Sequence, residues 1–479
     1  MDKGARFDPN MGVHSSQLTF DASVATRELM VIEPTLAFPG SQQVEYQVPA
    51  TNQPGVFYDV GGAYLDFKFN LSTPAAPNGK CIITPFQSSL LVFKDWRLML
   101  QGRDVSEESD SLDAYSSFHK SALLFPHNRC AISVNASAGN YHEGYHLDES
   151  HINGHVTWPA IEFAGAGVKT LASDSFRIPM WEALENADYQ GVWRIWIPHG
   201  LFNQRQYLPG NISMILRASL IDSTYNYLMA LQAGETALTL TPVSCQLVLP
   251  RLTATPNGLR LYERLLAENN FTMKYNLLRT ETSRFVIPAG QQNGNFQVLN
   301  RARPMAVCIH CVPLASVDPS TKSDLLHPYE FDGSAAPPFA PTKMYLMLNG
   351  EQYPKRTSHA ITRTGSTNNP SHRGTLLQDI DEYRSLCLQT LHSEYKTQPL
   401  LNLWSMWENS RAQIVYINTT PNGENLQNSQ YPVNQIGPMD VYIEQFNSIP
   451  AADTAVIITR FYNSALEISP KTGHVMTDY

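Results

Sequence analysis

RLMLQG at residues 97–102 and YLMLNG at residues 345–350 are nearly the same six letters, written twice in one chain of 479 residues. Each copy sets leucine at alternate positions, Leu98 and Leu100 in the first, Leu346 and Leu348 in the second. Each then closes on an amide side chain followed by glycine. Two-residue alternation buries one face of a strand, and an amide–Gly pair supplies the left-handed backbone of a tight hairpin turn, so both stretches read as half-buried strands entering a turn.

The surroundings repeat as well. EYQVPA (45–50) lies upstream of the first copy and RFVIPAG (284–290) upstream of the second, each an extended segment ended by proline, Pro49 or Pro288. Downstream come LDAYSS (112–117) and IDEYRS (380–385). Order is kept while loop lengths drift, which is how a duplicated domain diverges when loops accept insertions and strands do not. The chain reads as two copies of one domain, and its length suits two all-β units.

Strand-type alternation dominates elsewhere. Leu65, Phe67, Phe69 and Leu71 alternate with Asp66, Lys68 and Asn70, and Ile212, Met214 and Leu216 with Ser213, Ile215 and Arg217. Further strands are expected at 192–198, 238–249, 305–313, 413–418, 439–446 and 454–468, punctuated by Gly, Pro and Asn. Many short strands with such punctuation argue for an all-β fold of sandwich or jelly-roll architecture in each half, with a few short helices. Helical spacing appears at 109–125 (Leu112, Tyr115, Phe118, Ala122, Phe125), at 379–391 (Ile380, Tyr383, Cys387, Leu391) and at 257–269. The last of these is expected to connect the domains and pack on both. The division reads as a flexible N-terminal arm over 1–27, a first roll over 28–250 and a second over 251–479. Long loops at 138–160, 314–341 and 354–375 are of a length usually reserved for function or contact.

The net charge is −9 and only 16% of residues are charged, so the chain lacks the basic field that nucleic-acid binding requires. The amino terminus has no apolar signal core and no run of eighteen apolar residues occurs, so neither secretion nor membrane spanning is expected. Six scattered cysteines do not form a disulfide framework. The Asn-x-Ser/Thr triplets at Asn70, Asn135, Asn211, Asn270 and Asn418 are read as polar surface.

Candidate chemistry is sparse. YHEGYHLDESHINGH gathers His142, His146, His151 and His155 beside Glu143, Asp148 and Glu149, all metal-ligating types. Gly144 and Asn153–Gly154 oppose the helix that would align His142 with His146, so a polar loop is preferred. Cys308 and Cys311 form a Cys-x-x-Cys inside MAVCIHCVP, but positions three apart on a strand face opposite ways and cannot grip one ion. They read as small core residues. The carboxylates Glu107, Glu108, Asp379 and Asp381 are assigned to helix starts, where negative charge suits the helix dipole. Lys355, Arg356 and Arg363 read as an exposed loop. Trp96, Trp193, Trp196, Trp404 and Trp407 read as core packing rather than a carbohydrate platform. No nucleophile elbow, Walker loop or dinucleotide fingerprint occurs. No catalytic, cofactor-binding or metal residue is assigned, which points to a structural protein.

Several stretches resemble the double-jelly-roll major capsid proteins of Polinton/Maverick elements, adintoviruses and their virophage relatives. They are PFQSSLLVFKDWRLMLQGRDVS (85–106), HGLFNQRQYLPGNISMILRAS (199–219), the segment 247–290, HPYEFDG (327–333) with MYLMLNGEQYP (344–354), and the closing strands 437–479. After Tyr353–Pro354 the run KRTSHAITRTGSTNN departs from the Pro-Leu-Gln-Pro type run of many relatives.

The resemblance implies two tandem eight-stranded jelly-roll β-sandwiches, a double jelly roll, in a homotrimer forming a pseudo-hexameric capsomer, tiled with neighbouring capsomers into the icosahedral shell of a double-stranded DNA virus or virus-like element. It implies penton and minor capsid proteins as partners, no cofactor, and assembly in the host nucleus or cytoplasm into the virion capsid. On the same analogy loops 138–160 and 314–341 form tower or inter-subunit contacts and the arm ties capsomers together. The reading from another class is a carbohydrate-binding or cupin-like metalloenzyme using the His142–His155 loop. A minor capsid or fibre-type subunit is disfavoured by the tandem repeat.

Overall fold

The computed structural model describes residues 23–72, 79–82, 92–107, 160–164, 167–169, 189–203, 206–220, 229–230, 239–267, 271–300, 302–314, 341–354, 361–362, 386, 414–419, 437–446 and 449–477, together with Ser116, His119, Lys120, Leu123 and Leu124.

The first half contributes β1 (Val24–Ile32), β2 (Gln43–Val48), β3 (Val56–Tyr58), β4 (Tyr64–Ser72), β5 (Gly79–Ile82), β6 (Phe93–Leu100) and β7 (Arg103–Asp104). It continues with β8 (Ala160–Ala164), β9 (Gly167–Lys169), β10 (Tyr189–Trp196), β11 (Leu208–Pro209), β12 (Met214–Leu220), β13 (Met229–Ala230) and β14 (Thr239–Ala254). One helix, α1 (Pro256–Ala267), follows. The second half contributes β15 (Met273–Ile287), β16 (Gly294–Asn300), β17 (Ala306–Pro313), β18 (Pro341–Leu348) and β19 (Glu351–Tyr353), then β20 (Ile361–Thr362), β21 (Ile414–Asn418), β22 (Gly437–Phe446), β23 (Thr454–Ser469) and β24 (His474–Thr477).

In the first half one sheet runs β1-β14-β4-β10, with β3 and β11 continuing beside β14, and the facing sheet runs β2-β12-β6-β7. In the second half the corresponding orders are β15-β23-β17-β21 and β16-β22-β18-β19. Taken along the chain, each strand of the first set has one counterpart in the second with the same neighbours, so the fold is two tandem eight-stranded jelly rolls. A further sheet, β13-β5-β8-β9, is built from segments inserted in the first roll.

The two quoted stretches are β6 and β18 with their turns, at matching places in the two rolls. Leu98 and Leu100 are buried opposite Leu216 and Met214 of β12, and Leu346 and Leu348 opposite Val441 and Met439 of β22. The turn residues Gln101 and Gly102 have φ of 50° and 74°, and Asn349 and Gly350 have 52° and 80°. Left-handed backbone at both central positions matches the twist of the flanking strands. The proline-ended segments are not counterparts, however. EYQV belongs to β2, whose equivalent is β16, whereas RFVI ends β15, the equivalent of β1. Proline closes any exposed strand end equally well, so it does not mark register.

Two boundaries differ from expectation. β1 begins at Val24, inside the stretch read as an arm, because Val24–Ile32 completes a sheet edge against Leu247–Ala254. β14 runs past position 250 to Ala254 for the same reason. Helix α1 packs mainly on the first roll and also meets the start of the second: Tyr262 stands edge-on to Phe57 at 4.9 Å and is buried with Leu252, with Phe271 alongside. Gly258 of α1 lies so close to Ser23 that a Cβ would meet its carbonyl oxygen at 2.6 Å.

Candidate functional site at the seam between the rolls

The seam begins with strand length. β15 and β23 have 15 and 16 residues, at about 3.3 Å per residue far longer than one sandwich needs. Their overhanging ends carry Met273, Tyr275, Leu277, Leu466 and Ile468 into the same buried cluster as the first roll's Leu65, Phe67 and Leu98. The strands beside them are sealed on both faces. In β17, Val307, Ile309 and Cys311 face the second roll's core, while Ala306, Cys308 and Val312 join the cluster shared with the first roll. Continuously buried runs at 306–312 and 454–462, apolar except for His310, Thr454, Thr459 and Arg460, are what double burial requires, in place of the alternation of a half-exposed sheet.

Polar groups then fix the contact. Glu107 follows the β6–β7 hairpin, and its side chain is 0% exposed. It is ion-paired with Lys120, 1% exposed, on the helical segment that follows. Its Oε1 accepts the N–H of Leu278 in β15 at 2.6 Å and that of Gly200 at 2.9 Å, and its main-chain oxygen accepts from Thr280 N–H at 2.9 Å. One residue of the first roll thus holds two backbone N–H groups of the second roll's first strand. Gly200 sits in a 3-10 turn, Gly200–Asn203, where a Cβ would lie 2.5 Å from Glu107 Oε1 and 2.8 Å from Asn276 O. No larger residue fits.

His199 completes this cluster. Its Nε2–H donates to Val105 O at 3.0 Å and its Nδ1 accepts from Leu201 N–H at 3.1 Å, an arrangement that fixes the neutral tautomer. Burial holds its pKa below the ordinary value. Burial alone would favour the neutral form of Glu107, but His199, Lys120 and the Gly200 N–H outweigh it and hold the carboxyl below its usual range.

A second cluster lies farther along the helical segment. His119 Nε2 and His310 Nδ1 are 2.8 Å apart, and His119 Nδ1 lies 2.9 Å from Thr459 Oγ1. Tyr416 O–H donates to His119 O at 3.0 Å, and Thr282 and Thr459 hydroxyls meet at 3.2 Å. His119 belongs to the first roll and the other four to the second. Burial drives the pKa of His310 down to about 3, and burial with the neighbouring His310 holds His119 well below its usual value. At the periphery Arg103 donates to Val475 O at 2.5 Å, Asn211 to Pro470 O at 2.5 Å and Tyr275 O–H to Tyr207 O at 2.9 Å. Asn211 is exposed, as the polar-surface reading expects, and its amide also donates across the seam.

These groups join the two rolls. Glu107, Lys120, His199, His119 and His310 are at most 2% exposed, closed off from solvent. Glu107 is thus a buried interdomain anchor, with hydrogen-bond donors supplied by the strand it meets. Cys308 and Cys311 are free and buried on opposite faces of β17, as their spacing predicts. Trp96 is buried with Leu98 and Leu100. Trp196 is half-buried and packs against the core cluster, edge-on to Tyr64 at 5.6 Å, while Arg194 lies 3.9 Å over the Tyr64 ring.

The histidine loop with His142, His146, His151 and His155, and Glu108, Lys355, Arg356, Arg363, Asp379, Asp381, Trp404 and Trp407, lie outside the described residues. Among the described residues no group of three ligating side chains could hold a metal, and no helix is long and apolar enough to cross a membrane. Sequence reading missed the seam residues. The one local signal was His310, a polar residue centred in an otherwise apolar strand.

No protein-family model matches the chain, and no curated protein sequence does. Solved structures do. A chain of the PBCV-1 virus capsid superposes with a TM-score of 0.50 at 12% identity, covering 95% of this chain and 97% of that one. The Faustovirus major capsid protein gives 0.49 at 8% identity over 95% and 92%, and the mavirus major capsid protein 0.46 at 10% over 100% and 96%. The first likeness establishes a shared fold over nearly the whole chain.

Proposed function

We propose that this chain is a major capsid protein, trimerising into pseudo-hexameric capsomers that tile the icosahedral shell of a double-stranded DNA virus or virus-like element. The observation that carries this is the union of two equivalent jelly rolls across one buried seam, with Glu107, Lys120, His119 and their partners bonded across it. An enzyme concentrates unsatisfied, accessible polar groups in a cleft; here the buried polar groups are spent on joining domains. Support comes from the resemblance of residues 85–106, 199–219 and 247–290 to this class and from the fold shared with the PBCV-1 capsid chain.

Three copies present six rolls, and a closed three-fold ring caps growth within the capsomer while weaker lateral contacts build the lattice. Penton and minor capsid proteins are its partners in that reading, the virion is its location, host nucleus or cytoplasm its place of assembly, and it has no catalytic role. Size-exclusion chromatography with light scattering on the purified chain tests it: a trimer is expected at micromolar concentration. Electron microscopy of concentrated protein should then show hexagonal capsomers or shells. A stable monomer would overturn the reading.

A further inference from the structure

A polar cluster of the second roll remains outside the two seam clusters. Alternate residues of β15 share a face, and along one face Arg279, Glu281 and Ser283 interrupt a series that is apolar on either side, Leu277 before them and Phe285 after. Tyr462 and Arg460 of β23 stand in register beside Arg279 and Glu281. Asn300, the last residue of β16, meets them from the facing sheet.

Arg460 spans the gap between the sheets. Its Nη1 donates to Leu299 O at 2.6 Å and Asn300 Oδ1 at 3.1 Å and lies 3.3 Å from Glu281 Oε2, while its Nη2 donates to Ser283 Oγ at 3.2 Å. The Tyr462 hydroxyl lies 3.1 Å from Glu281 Oε2 and 3.4 Å from Asn300 Oδ1. With Arg460 and Tyr462 both presenting hydrogens to Oδ1, the orientation of the Asn300 amide is fixed and its NH2 end faces away from them. Two donors are then left without an acceptor among the described residues, Arg460 Nε–H and Asn300 Nδ2–H, on residues only 5% and 3% exposed.

The fold does not demand these groups. Where β16 ends its inward-facing series on Asn300, the equivalent strand β2 ends on Val48, and the first roll closes the same gap with Val44, Tyr46, Leu247 and Leu249, all buried. Buried donors without acceptors are costly, and one so retained in a single roll needs another reason. What the cluster lacks is an acceptor, and beside a buried guanidinium an anionic one binds best. Within the cluster two guanidinium groups, Arg279 and Arg460, stand against the one carboxylate of Glu281. Its open side is formed by Glu281, 15% exposed, and half-buried Arg279.

We propose that the cluster of Arg279, Arg460 and Asn300 binds a small oxyanion, of phosphate or carboxylate type, which accepts from Arg460 Nε–H and the Asn300 amide while Arg279 lines its entrance. The site belongs to the second roll by itself and does not depend on self-assembly.

The test is isothermal titration and thermal unfolding of the full chain with sodium phosphate and with sodium acetate, against sodium chloride at equal ionic strength. A saturable rise in melting temperature is expected with at least one of the two oxyanions, and the tighter of them identifies the type; a general salt effect rises without saturating. Asn300→Asp keeps an oxygen for Arg460 and Tyr462 but replaces the amide donor with a fixed negative charge, so its affinity for the oxyanion should be at least about 10-fold weaker. Lys274→Gln, which removes a cation 65% exposed on the same strand, should bind as the wild type does. No saturable binding of either oxyanion by the wild type, or equal binding by Asn300→Asp, would overturn the proposal. Should Asn300→Asp fail to fold, Arg279→Gln takes its place: the same weakening of at least about 10-fold is expected, and unchanged affinity would overturn the proposal.

Discussion

Glu107 and Lys120 form an ion pair with side chains 0% and 1% exposed, at the place where the first roll grips the first strand of the second. Desolvating two charges is costly, and the pair is tolerated because the carboxylate also takes the N–H groups of Gly200 and Leu278. Such a contact adds little net stability over an apolar one, but its donors sit at fixed places. An apolar interface could slide along β15, and this one holds a single register.

Removing one member strands the other. Glu107→Gln and Lys120→Met are each expected to destabilise the chain by about 3–5 kcal/mol, because each leaves a buried charge uncompensated. The double variant Glu107→Gln/Lys120→Met should lose less than the sum of the two, by about 1–3 kcal/mol. Denaturant midpoints of the four proteins check this, and additive losses would contradict the coupling.

Glycine positions separate steric need from conformational need. Gly200→Ala drives a methyl into Glu107 and the β15 backbone, within 2.5 Å and 2.8 Å, and should cost about 2–4 kcal/mol. Gly102 and Gly350 have open space around them but positive φ, so alanine at either should cost only about 1 kcal/mol. Because these two occupy equivalent turns, their losses should agree closely; a wide difference would contradict the equivalence of β6 and β18.

Cys308 and Cys311 offer a test of the face assignment. Each is buried among different neighbours, Cys308 against the first roll's side and Cys311 in the second core. Serine at either introduces a buried hydroxyl at a cost of about 1–3 kcal/mol. With no shared partner the two losses should add to within about 0.5 kcal/mol, and chelators should not move the melting temperature. Strong non-additivity with metal dependence would show a common site instead.

Strand positions were legible because a half-buried strand writes its two faces as a two-residue alternation, which β4 and β12 follow and β6 follows from Trp96 onward. The duplication was legible because Gln101–Gly102 and Asn349–Gly350 meet a backbone demand that few residues satisfy. The seam was not legible. His119 and His310 are 191 residues apart, and Glu107 and Leu278 are 171 apart. No local period records which loop covers which sheet. Glu107 looked like a helix-start charge because its donors come from a strand that sequence reading placed in another domain.

Acid should weaken the seam before it reaches the carboxylates. His119 and His310 face Thr459, Thr282 and Tyr416, with no acidic side chain among the contacts described above to stabilise an imidazolium. In the unfolded chain each histidine takes a proton near pH 6.5, whereas in the folded chain His310 does so only near 3 and His119 also well below its usual value. Between those limits the unfolded state binds more protons, so stability is complete above about pH 6.5 and falls as pH drops. The expected loss is about 1.4 kcal/mol per pH unit for His310, or about 2 kcal/mol between pH 6.5 and 5, and His119 adds a loss of the same sign. Glu107 is held below its ordinary value and contributes its own loss only at lower pH, outside that window. His199, whose pKa is also lowered, adds in the same direction. Urea midpoints at pH 7.5, 6.5, 5.8 and 5 should therefore slope steeply for the wild type and less steeply for His119→Gln/His310→Gln, whatever its stability at neutral pH. A wild type with the same midpoint at pH 7.5 and pH 5 would show that the imidazoles are protonated in the folded seam.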